Sequence, residues 1–217
     1  MAQKRVSPQP VIKGLYALTP DTLDTKALIH SVRLALEGGV QVLQYRNKIA
    51  DASLKLAQAQ ALHHLAREYA ATFIVNDDAQ LAAAVAADGV HLGASDGEIY
   101  SARALLGVNK LIGMSCYNRL EWAHNAVQAG ADYVAFGAFF SSTVKPDAAV
   151  ATLDLLRDAR TKLSVPIVAI GGIDVVNGGL LVSAGADALA VISSVFNTAD
   201  IRLAAQNLTQ LFRKSSA

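Results

Sequence analysis

The chain contains little cysteine, no long apolar run and almost no net charge. Cys116 is the only cysteine among the 217 residues, so the chain can form no internal disulfide, and we expect a reducing compartment. No apolar run approaches the roughly 20 residues of a membrane helix, and residues 1–10 lack the apolar core of a signal peptide. The 19 basic and 18 acidic residues leave a charge of +1, which argues against a nucleic-acid surface of the usual basic kind. We therefore expect a soluble cytoplasmic protein that binds neither membranes nor nucleic acids.

Apolar side chains are abundant instead. They make up 53% of the residues and charged ones 17%, which is typical of a globular protein with a large buried core. A length of 217 residues is enough for one sizeable core and short for two ordinary domains. Since no linker or low-complexity tract interrupts the sequence, we predict one domain over residues 1–217, with residues 1–12 as an N-terminal extension. A homo-oligomeric assembly is left open.

A helix-to-strand junction recurs four times along the chain. Each time an alanine-rich segment ends at or near a glycine, which suits a left-handed helix C-cap, and a short apolar strand follows. The four junctions contain Gly38-Gly39, Asp88-Gly89, Gly130-Ala131 and Gly185-Ala186. Together with four further apolar runs they predict eight strands, at residues 15–18, 40–43, 73–75, 89–92, 111–114, 133–135, 167–170 and 188–191.

The segments between these strands repeat apolar residues at three- and four-residue spacing, as amphipathic helices do. Asp51, Asn118 and Asp174 are the predicted N-caps. Strands that alternate with helices pair in parallel, so we predict the α/β class and a single-domain (β/α)8 TIM barrel. The runner-up is a doubly wound open sheet, but Thr19-Pro20-Asp21 stands where its Gly-x-Gly-x-x-Gly loop would follow the first strand.

The second predicted strand ends in Gln44-Tyr45-Arg46-Asn47-Lys48. Functional residues of such a barrel collect where strands end, and side chains alternate along a strand, so Gln44, Arg46 and Lys48 should face the same side. The fork of an arginine and the point charge of a lysine together suit a diphosphate. The alternative is a surface loop with ordinary cations.

Polar residues also follow the third and fourth strands. Asn76 and Asp77 end the third, and Asp96 lies just beyond the fourth. Two carboxylates at successive strand ends suit Mg²⁺, which takes one or two carboxylates together with water and phosphate oxygens. The alternative is that these acids cap the following helices, although Asp78 can cap the helix after the third strand and leave Asp77 to a metal. His91, inside the fourth strand, is expected to be a satisfied core or near-core histidine.

The remaining strand ends offer groups that bind anions. Ser115 follows the fifth strand and has no His or acid near it in sequence, so we expect it to hydrogen-bond rather than to act as a nucleophile. A hydroxyl-rich loop after the sixth strand ends at Lys145. Gly171-Gly172 and Ser193 follow the seventh and eighth strands, whose loops form the phosphate site of many barrels. The sequence therefore predicts a cavity for two phosphorylated groups and a metal.

These motifs, in this order and spacing, resemble the thiamine-phosphate synthase family from Gly14 to about Phe196. They are Gln44-x-Arg46-x-Lys48, Asn76-Asp77, Gly89-Val90-His91-Leu92-Gly93-x-x-Asp96, Gly113-x-Ser115, the loop from Phe140 to Lys145, Ile170-Gly171-Gly172-Ile173 and Ile192-Ser193. The resemblance implies a transferase that condenses 4-amino-2-methyl-5-hydroxymethylpyrimidine diphosphate with thiazole phosphate, with Mg²⁺ as cofactor. Thiamine phosphate and diphosphate would be the products.

The resemblance also implies a role for each residue. The pyrimidine diphosphate would be bound by Gln44, Arg46, Lys48, Asn76, Ser115 and Lys145, and the thiazole phosphate by Ser142, Thr143, Val144, Gly172, Ile192 and Ser193. Tyr45 and Asn47 would also belong to the substrate-binding residues. Asp77 and Asp96 would hold Mg²⁺ on the diphosphate. Arg46, Lys48 and Lys145 would be catalytic, because cations stabilise the charge that grows on the leaving diphosphate while the thiazole nitrogen captures the pyrimidine-methyl carbocation.

The chain departs from the family pattern at two positions. Val144 removes a hydroxyl from the loop after the sixth strand, and Ala94 removes an amide. Two alternatives are a thiazole tautomerase on the same barrel and a non-catalytic sensor of phosphate ligands. The tautomerases tend to lose the metal acids and to carry a His two residues after the serine, where this chain has Tyr117. The synthase is therefore favoured.

Overall fold

The computed structural model describes residues 11–93, 98–141 and 150–214. Eight parallel strands close into a barrel in chain order, with the last bonded to the first. They are β1 (Gly14–Leu18), β2 (Val42–Tyr45), β3 (Thr72–Asn76), β4 (Gly89–Leu92), β5 (Leu111–Tyr117), β6 (Tyr133–Phe136), β7 (Ile167–Ile170) and β8 (Ala188–Val191). The predicted (β/α)8 TIM barrel and its eight strands are confirmed.

Helices follow the strands and cover the outside of the barrel. They are α1 (Thr25–Glu37), α2 (Ala52–Glu68), α3 (Ala79–Ala84), α4 (Ile99–Leu106), α5 (Leu120–Gln128), α6 (Leu153–Lys162), α7 (Gly178–Ser183), α8 (Ser193–Phe196) and α9 (Ile201–Lys214). Within the described ranges, no helix is long and apolar enough to cross a membrane.

The caps of two helices agree with the sequence. The Asp51 carboxylate accepts the backbone N–H of Leu54 at 2.8 Å, so this predicted N-cap is confirmed. Asp78 does the same for Leu81 at 2.8 Å and caps α3, which leaves the neighbouring Asp77 for another purpose.

Two other predicted N-caps are wrong. Helix α5 begins after Arg119, and the side chain of Asn118 donates instead to the carbonyl of Val150. Helix α7 begins after Asn177. Asp174 lies three residues earlier, where its carboxylate accepts backbone N–H groups of an Asx-type turn before the helix.

Alternate residues along each strand pack on opposite sides of the sheet. Tyr16, Val42 and Tyr133 lie in the cluster that fills the barrel, whereas Leu15 and Leu43 lie in the cluster between the strands and the helices. Both faces are buried, which explains why the strands are almost continuously apolar in sequence.

Three of the four recurrent junctions contain an aspartate that forms a clasp of two hydrogen bonds with the strand before it. The backbone N–H of Asp132 donates to the carbonyl of Ile112, the first buried residue of β5, and the Asp132 carboxylate accepts the N–H of Ile112 at 2.7 Å. Asp88 and Asp187 form the same pair of bonds with Phe73 of β3 and Ile167 of β7. These acids lie at the amino ends of the strands, so their part in the repeat is structural.

The same end of the barrel receives the start of the described chain. Val11 exchanges two hydrogen bonds with the hydroxyl of Thr72, the first residue of β3, and Ile12 is buried in the cluster that fills the barrel. The described part of the predicted N-terminal extension therefore packs against the barrel. The functional cavity lies at the other end.

Candidate active site

A cavity of about 640 Å³ opens at the carboxyl ends of the strands, and all eight strands contribute to its wall. The structure brings together nine residues that the sequence selects for the site. They are Gln44, Arg46, Lys48, Asn76, Asp77, Ser115, Gly172, Ile192 and Ser193. This is the position at which barrels of this type carry their active sites.

Five of the predicted site residues lie outside the described residues. They are Asp96, Ser142, Thr143, Val144 and Lys145. Their roles as metal ligand, thiazole phosphate ligands and third catalytic cation therefore stay predictions.

The side chains of Tyr45 and Asn47 lie away from this cavity, on the outer side of the sheet. The Tyr45 hydroxyl donates to Oε1 of Gln58 at 2.9 Å, and Nδ2 of Asn47 donates to the same oxygen at 2.9 Å. Gln58 is a fully buried residue of α2. The predicted alternation of Gln44, Arg46 and Lys48 is thus confirmed, while the two residues between them anchor the helix behind the strand.

The cations that follow β2 are held by the loop after β1. Both carboxylate oxygens of Asp21 lie 3.0 Å from Nη1 of Arg46, and one of them accepts the backbone N–H of Lys48 at 2.8 Å. The Thr19 hydroxyl bonds the backbone N–H and carbonyl of Arg46 at 2.9 and 2.8 Å. The sequence singles out Thr19-Pro20-Asp21 only as evidence against a nucleotide loop, so its function as a clamp was missed.

Asp77 lines the cavity, and its backbone is in the left-handed region. Its φ is +62°, a conformation that Asp and Asn adopt more readily than other non-glycine residues, and its N–H donates to the carbonyl of His91 at 2.8 Å. No group of three or more His, Cys, Asp and Glu side chains converges within the described ranges. A Mg²⁺ ion beside Asp77 would rely on one or two carboxylates together with phosphate and water oxygens, and these hard oxygen donors fit it.

The loops after β7 and β8 line the cavity on the far side of the barrel from β3, and the loop after β7 packs closely against the described residues that follow β6. Gly172 has a φ of +62°, and a Cβ there would lie 2.4 Å from the carbonyl oxygen of Ser141. Only glycine lets these two loops approach so closely. Ser194 also lines the cavity, and its buried Oγ has no hydrogen-bond partner among the described residues. This hydroxyl, next to the predicted Ser193, can donate to a bound anion.

A chain of hydrogen bonds crosses the barrel beneath the cavity. Nε2 of Gln44 donates to the Tyr16 hydroxyl at 2.8 Å, and the hydroxyls of Tyr16 and Tyr133 are 3.1 Å apart. The Tyr133 hydroxyl bonds Nδ1 of His91 at 3.1 Å, and Nε2 of His91 bonds Oγ of Ser115 at 2.9 Å. Burial raises the pKa of both phenols above its usual value, so both keep their protons.

His91 is the satisfied near-core histidine that the sequence predicts, and it also lines the cavity. His91 hydrogen-bonds Ser115. The serine therefore has a histidine beside it in the folded protein, although none is close to it in the sequence. The third partner is the phenol of Tyr133 rather than the carboxylate of a catalytic triad. Cys116 is also unsuited to attack, because burial raises the pKa of its thiol to about 12.

Comparison with known proteins agrees with the motifs. The family model described as thiamine monophosphate synthase matches residues 15–195. A thiamine-phosphate synthase from Methylobacillus flagellatus is 52% identical over 94% of this chain and 97% of its own, and one from Chromobacterium violaceum is 51% identical over 94% and 98%.

Solved structures of other proteins have the same fold. A thiamine phosphate pyrophosphorylase from Pyrococcus furiosus superposes with a TM-score of 0.85 at 37% identity and covers 94% of this chain and 97% of its own. A 3-hexulose-6-phosphate synthase superposes with a TM-score of 0.68 at 18% identity, which shows a shared barrel alone. The chain belongs to the thiamine monophosphate synthase family.

Proposed function

We propose that this protein is a thiamine-phosphate synthase, which condenses 4-amino-2-methyl-5-hydroxymethylpyrimidine diphosphate with thiazole phosphate. The observation that carries the proposal is the meeting of two anion-binding regions in one cavity. Arg46, Lys48 and Asp77 lie on one side, and Gly172 and Ser193 lie on the other. Two phosphorylated substrates can therefore bind with their reacting atoms between these regions.

The reaction needs one bond to break and one to form. The carbon–oxygen bond between the pyrimidine methylene and the diphosphate breaks, and its electron pair leaves with the diphosphate. The lone pair of the thiazole nitrogen then forms the new carbon–nitrogen bond. No covalent intermediate with the protein is required, which agrees with the burial of Cys116 and with the hydrogen-bonded state of Ser115.

The protein's contribution is electrostatic stabilisation and alignment. The guanidinium of Arg46 and the ammonium of Lys48 stabilise the negative charge that develops on the departing diphosphate. Mg²⁺ held by Asp77 and Asp96 would supply Lewis-acid stabilisation of the same oxygens. Lys145 would add a third cation. Gln44, Asn76 and Ser115 would orient the pyrimidine, so that its methylene faces the thiazole nitrogen.

The phosphate of the thiazole would bind where the loops after β7 and β8 meet. Backbone groups near Gly172 and Ile192 and the hydroxyl of Ser193 line that part of the cavity. The buried hydroxyl of Ser194 provides an additional donor. Binding energy from this remote phosphate then helps to position the reacting nitrogen.

The test is to mix the purified protein with both substrates, with and without Mg²⁺, and to measure thiamine phosphate. We expect product only when Mg²⁺ and both substrates are present. A protein that binds both substrates and forms no product would contradict the proposal and favour a sensor. Isomerisation of thiazole phosphate alone, without metal, would favour the tautomerase. The cytoplasmic location and the lack of a nucleic-acid partner stay predictions, and a homo-oligomeric assembly stays open.

A further inference from the structure

The hydrogen-bonded chain beneath the cavity joins two residues that are expected to bind the pyrimidine substrate. Gln44 lies at one end and Ser115 at the other, and Tyr16, Tyr133 and His91 lie between them. All three linking side chains are at most 8% exposed. The proposed function assigns no role to these three residues.

The register of the sheet shows how Tyr133 reaches His91. His91 of β4, Gly113 of β5 and Tyr133 of β6 are register neighbours on three adjacent strands. A Cβ at position 113 would lie 2.1 Å from Cζ of Tyr133 and 2.5 Å from Nδ1 of His91. Because Gly113 has no side chain, Tyr133 can pass over β5 and reach the histidine on the strand beyond it.

The donors and acceptors give the chain a direction. Nε2 of Gln44 donates to the Tyr16 oxygen and cannot accept a proton from it, so the acceptor that the described residues offer to the Tyr16 hydroxyl is the oxygen of Tyr133. The Tyr133 proton then goes to Nδ1 of His91. A neutral imidazole that accepts at Nδ1 carries its proton on Nε2, and that proton is donated to Oγ of Ser115. The Ser115 proton is consequently directed away from His91.

We propose that His91 is a positioning residue, fixed by Tyr133 and Tyr16 as the Nε2-protonated tautomer, which makes Ser115 a hydrogen-bond donor toward the pyrimidine ring. This inference rests on the proposed function for the identity of the ligand. An aminopyrimidine presents ring nitrogens that accept and an amino group that donates. Ser115 as a donor and Oε1 of Gln44 as an acceptor match such an edge.

The tautomer is measured without substrate, by nitrogen NMR of protein carrying labelled histidine, at a pH where the ring is neutral. The His91 signals are assigned by their loss in His91→Gln. We expect a protonated Nε2 and an unprotonated Nδ1, and a mixture of tautomers in Tyr133→Phe. Tyr69→Phe, which removes a hydroxyl bonded to Arg33 on the surface, should leave the tautomer unchanged. A protonated Nδ1 in the unmodified protein would overturn the proposal.

Two substitutions of His91 separate positioning from packing. The amide of His91→Gln can occupy the place of Nε2 and still donate to Ser115, whereas the shorter amide of His91→Asn reaches only toward Tyr133. We expect His91→Asn to raise KM for the pyrimidine diphosphate about tenfold, the effect of one hydrogen bond. His91→Gln should recover most of that loss, and neither should change KM for the thiazole phosphate.

The matched control is His63→Gln, because His63 bonds the carbonyl of Val85 outside the barrel. It should leave both KM values unchanged. Equal losses of folding stability in His91→Gln and His91→Asn, with both KM values unaltered, would show that His91 is only a packing residue and would refute the inference. If the unmodified protein makes no thiamine phosphate, the proposed function fails, and the tautomer measurement still decides this inference.

Discussion

Asp21 and Arg46 form an ion pair at the rim of the cavity, in which both carboxylate oxygens lie 3.0 Å from one guanidinium nitrogen. The arginine side chain is 17% exposed and the aspartate 33%. The same carboxylate holds the backbone of Lys48. The orientation of the two described cations that are predicted to bind the diphosphate therefore depends on one acid in the preceding loop.

Replacing this acid should weaken diphosphate binding even though it removes a negative charge near the site. Asp21→Asn keeps an acceptor for the N–H of Lys48 and loses the ion pair that orients Arg46. A partly exposed pair of this kind is worth up to about 1 kcal/mol, so we expect kcat/KM for the pyrimidine diphosphate to fall about fivefold. Asp24→Asn is the control, since asparagine also caps α1. A gain in kcat/KM would show that Asp21 competes with the substrate instead.

The backbone conformation of Asp77 determines which substitution is suited to test its predicted role as a Mg²⁺ ligand. Its φ of +62° is accessible to asparagine and strained for alanine, so Asp77→Asn removes the charge with little change in the backbone. We expect a fall of about 100-fold in kcat and a higher Mg²⁺ concentration at half-maximal rate. Steady-state rates across a Mg²⁺ titration give both values. Asp78→Asn, which preserves the cap of α3, should behave as the unmodified protein. Unchanged Mg²⁺ dependence in Asp77→Asn would refute the assignment.

The sequence predicts the barrel and the cation wall because both depend on short-range patterns. Eight apolar runs predict the strands, four of them at junctions that contain glycine, and the period of two from the end of β2 onward places Gln44, Arg46 and Lys48 on one side. These patterns are visible within short segments of the sequence and do not depend on contacts with the rest of the chain.

The hydrogen-bonded chain beneath the cavity depends on contacts that no local pattern contains. Tyr16 and Tyr133 are 117 positions apart and read as ordinary core aromatics. The one trace is Gly113, a glycine inside an apolar strand, which signals a close approach without naming the partner. The predicted N-caps at Asn118 and Asp174 are wrong for a related reason, because both side chains hydrogen-bond other backbone groups.

Cys116 should be unreactive in the folded protein. Burial raises the pKa of its thiol to about 12 from an ordinary value of 9.0, so the thiolate that reacts with disulfide reagents is scarce at pH 8. We expect no labelling in native buffer and one thiol labelled per chain in urea. Because the folded pKa is the higher one, the contribution of the neutral thiol to stability is full below pH 9 and declines as the pH rises toward 12. Rapid labelling of the native protein would contradict this.

The aspartate clasp at the amino ends of the strands should affect stability without affecting the site. Asp132 accepts the N–H of the fully buried Ile112 and also pairs with Arg103 at 2.5 Å. Asp132→Ala leaves that N–H without an acceptor, so the free energy of unfolding should fall by about 2 kcal/mol in urea titrations. The control is Asp154→Ala, which breaks an exposed ion pair with Arg157 and should cost less than about 0.5 kcal/mol. Both variants should keep the KM values of the unmodified protein, because the clasp and the cavity lie at opposite ends of the barrel. Equal small losses in both variants would mean that the repeated aspartate contributes no more than an exposed ion pair.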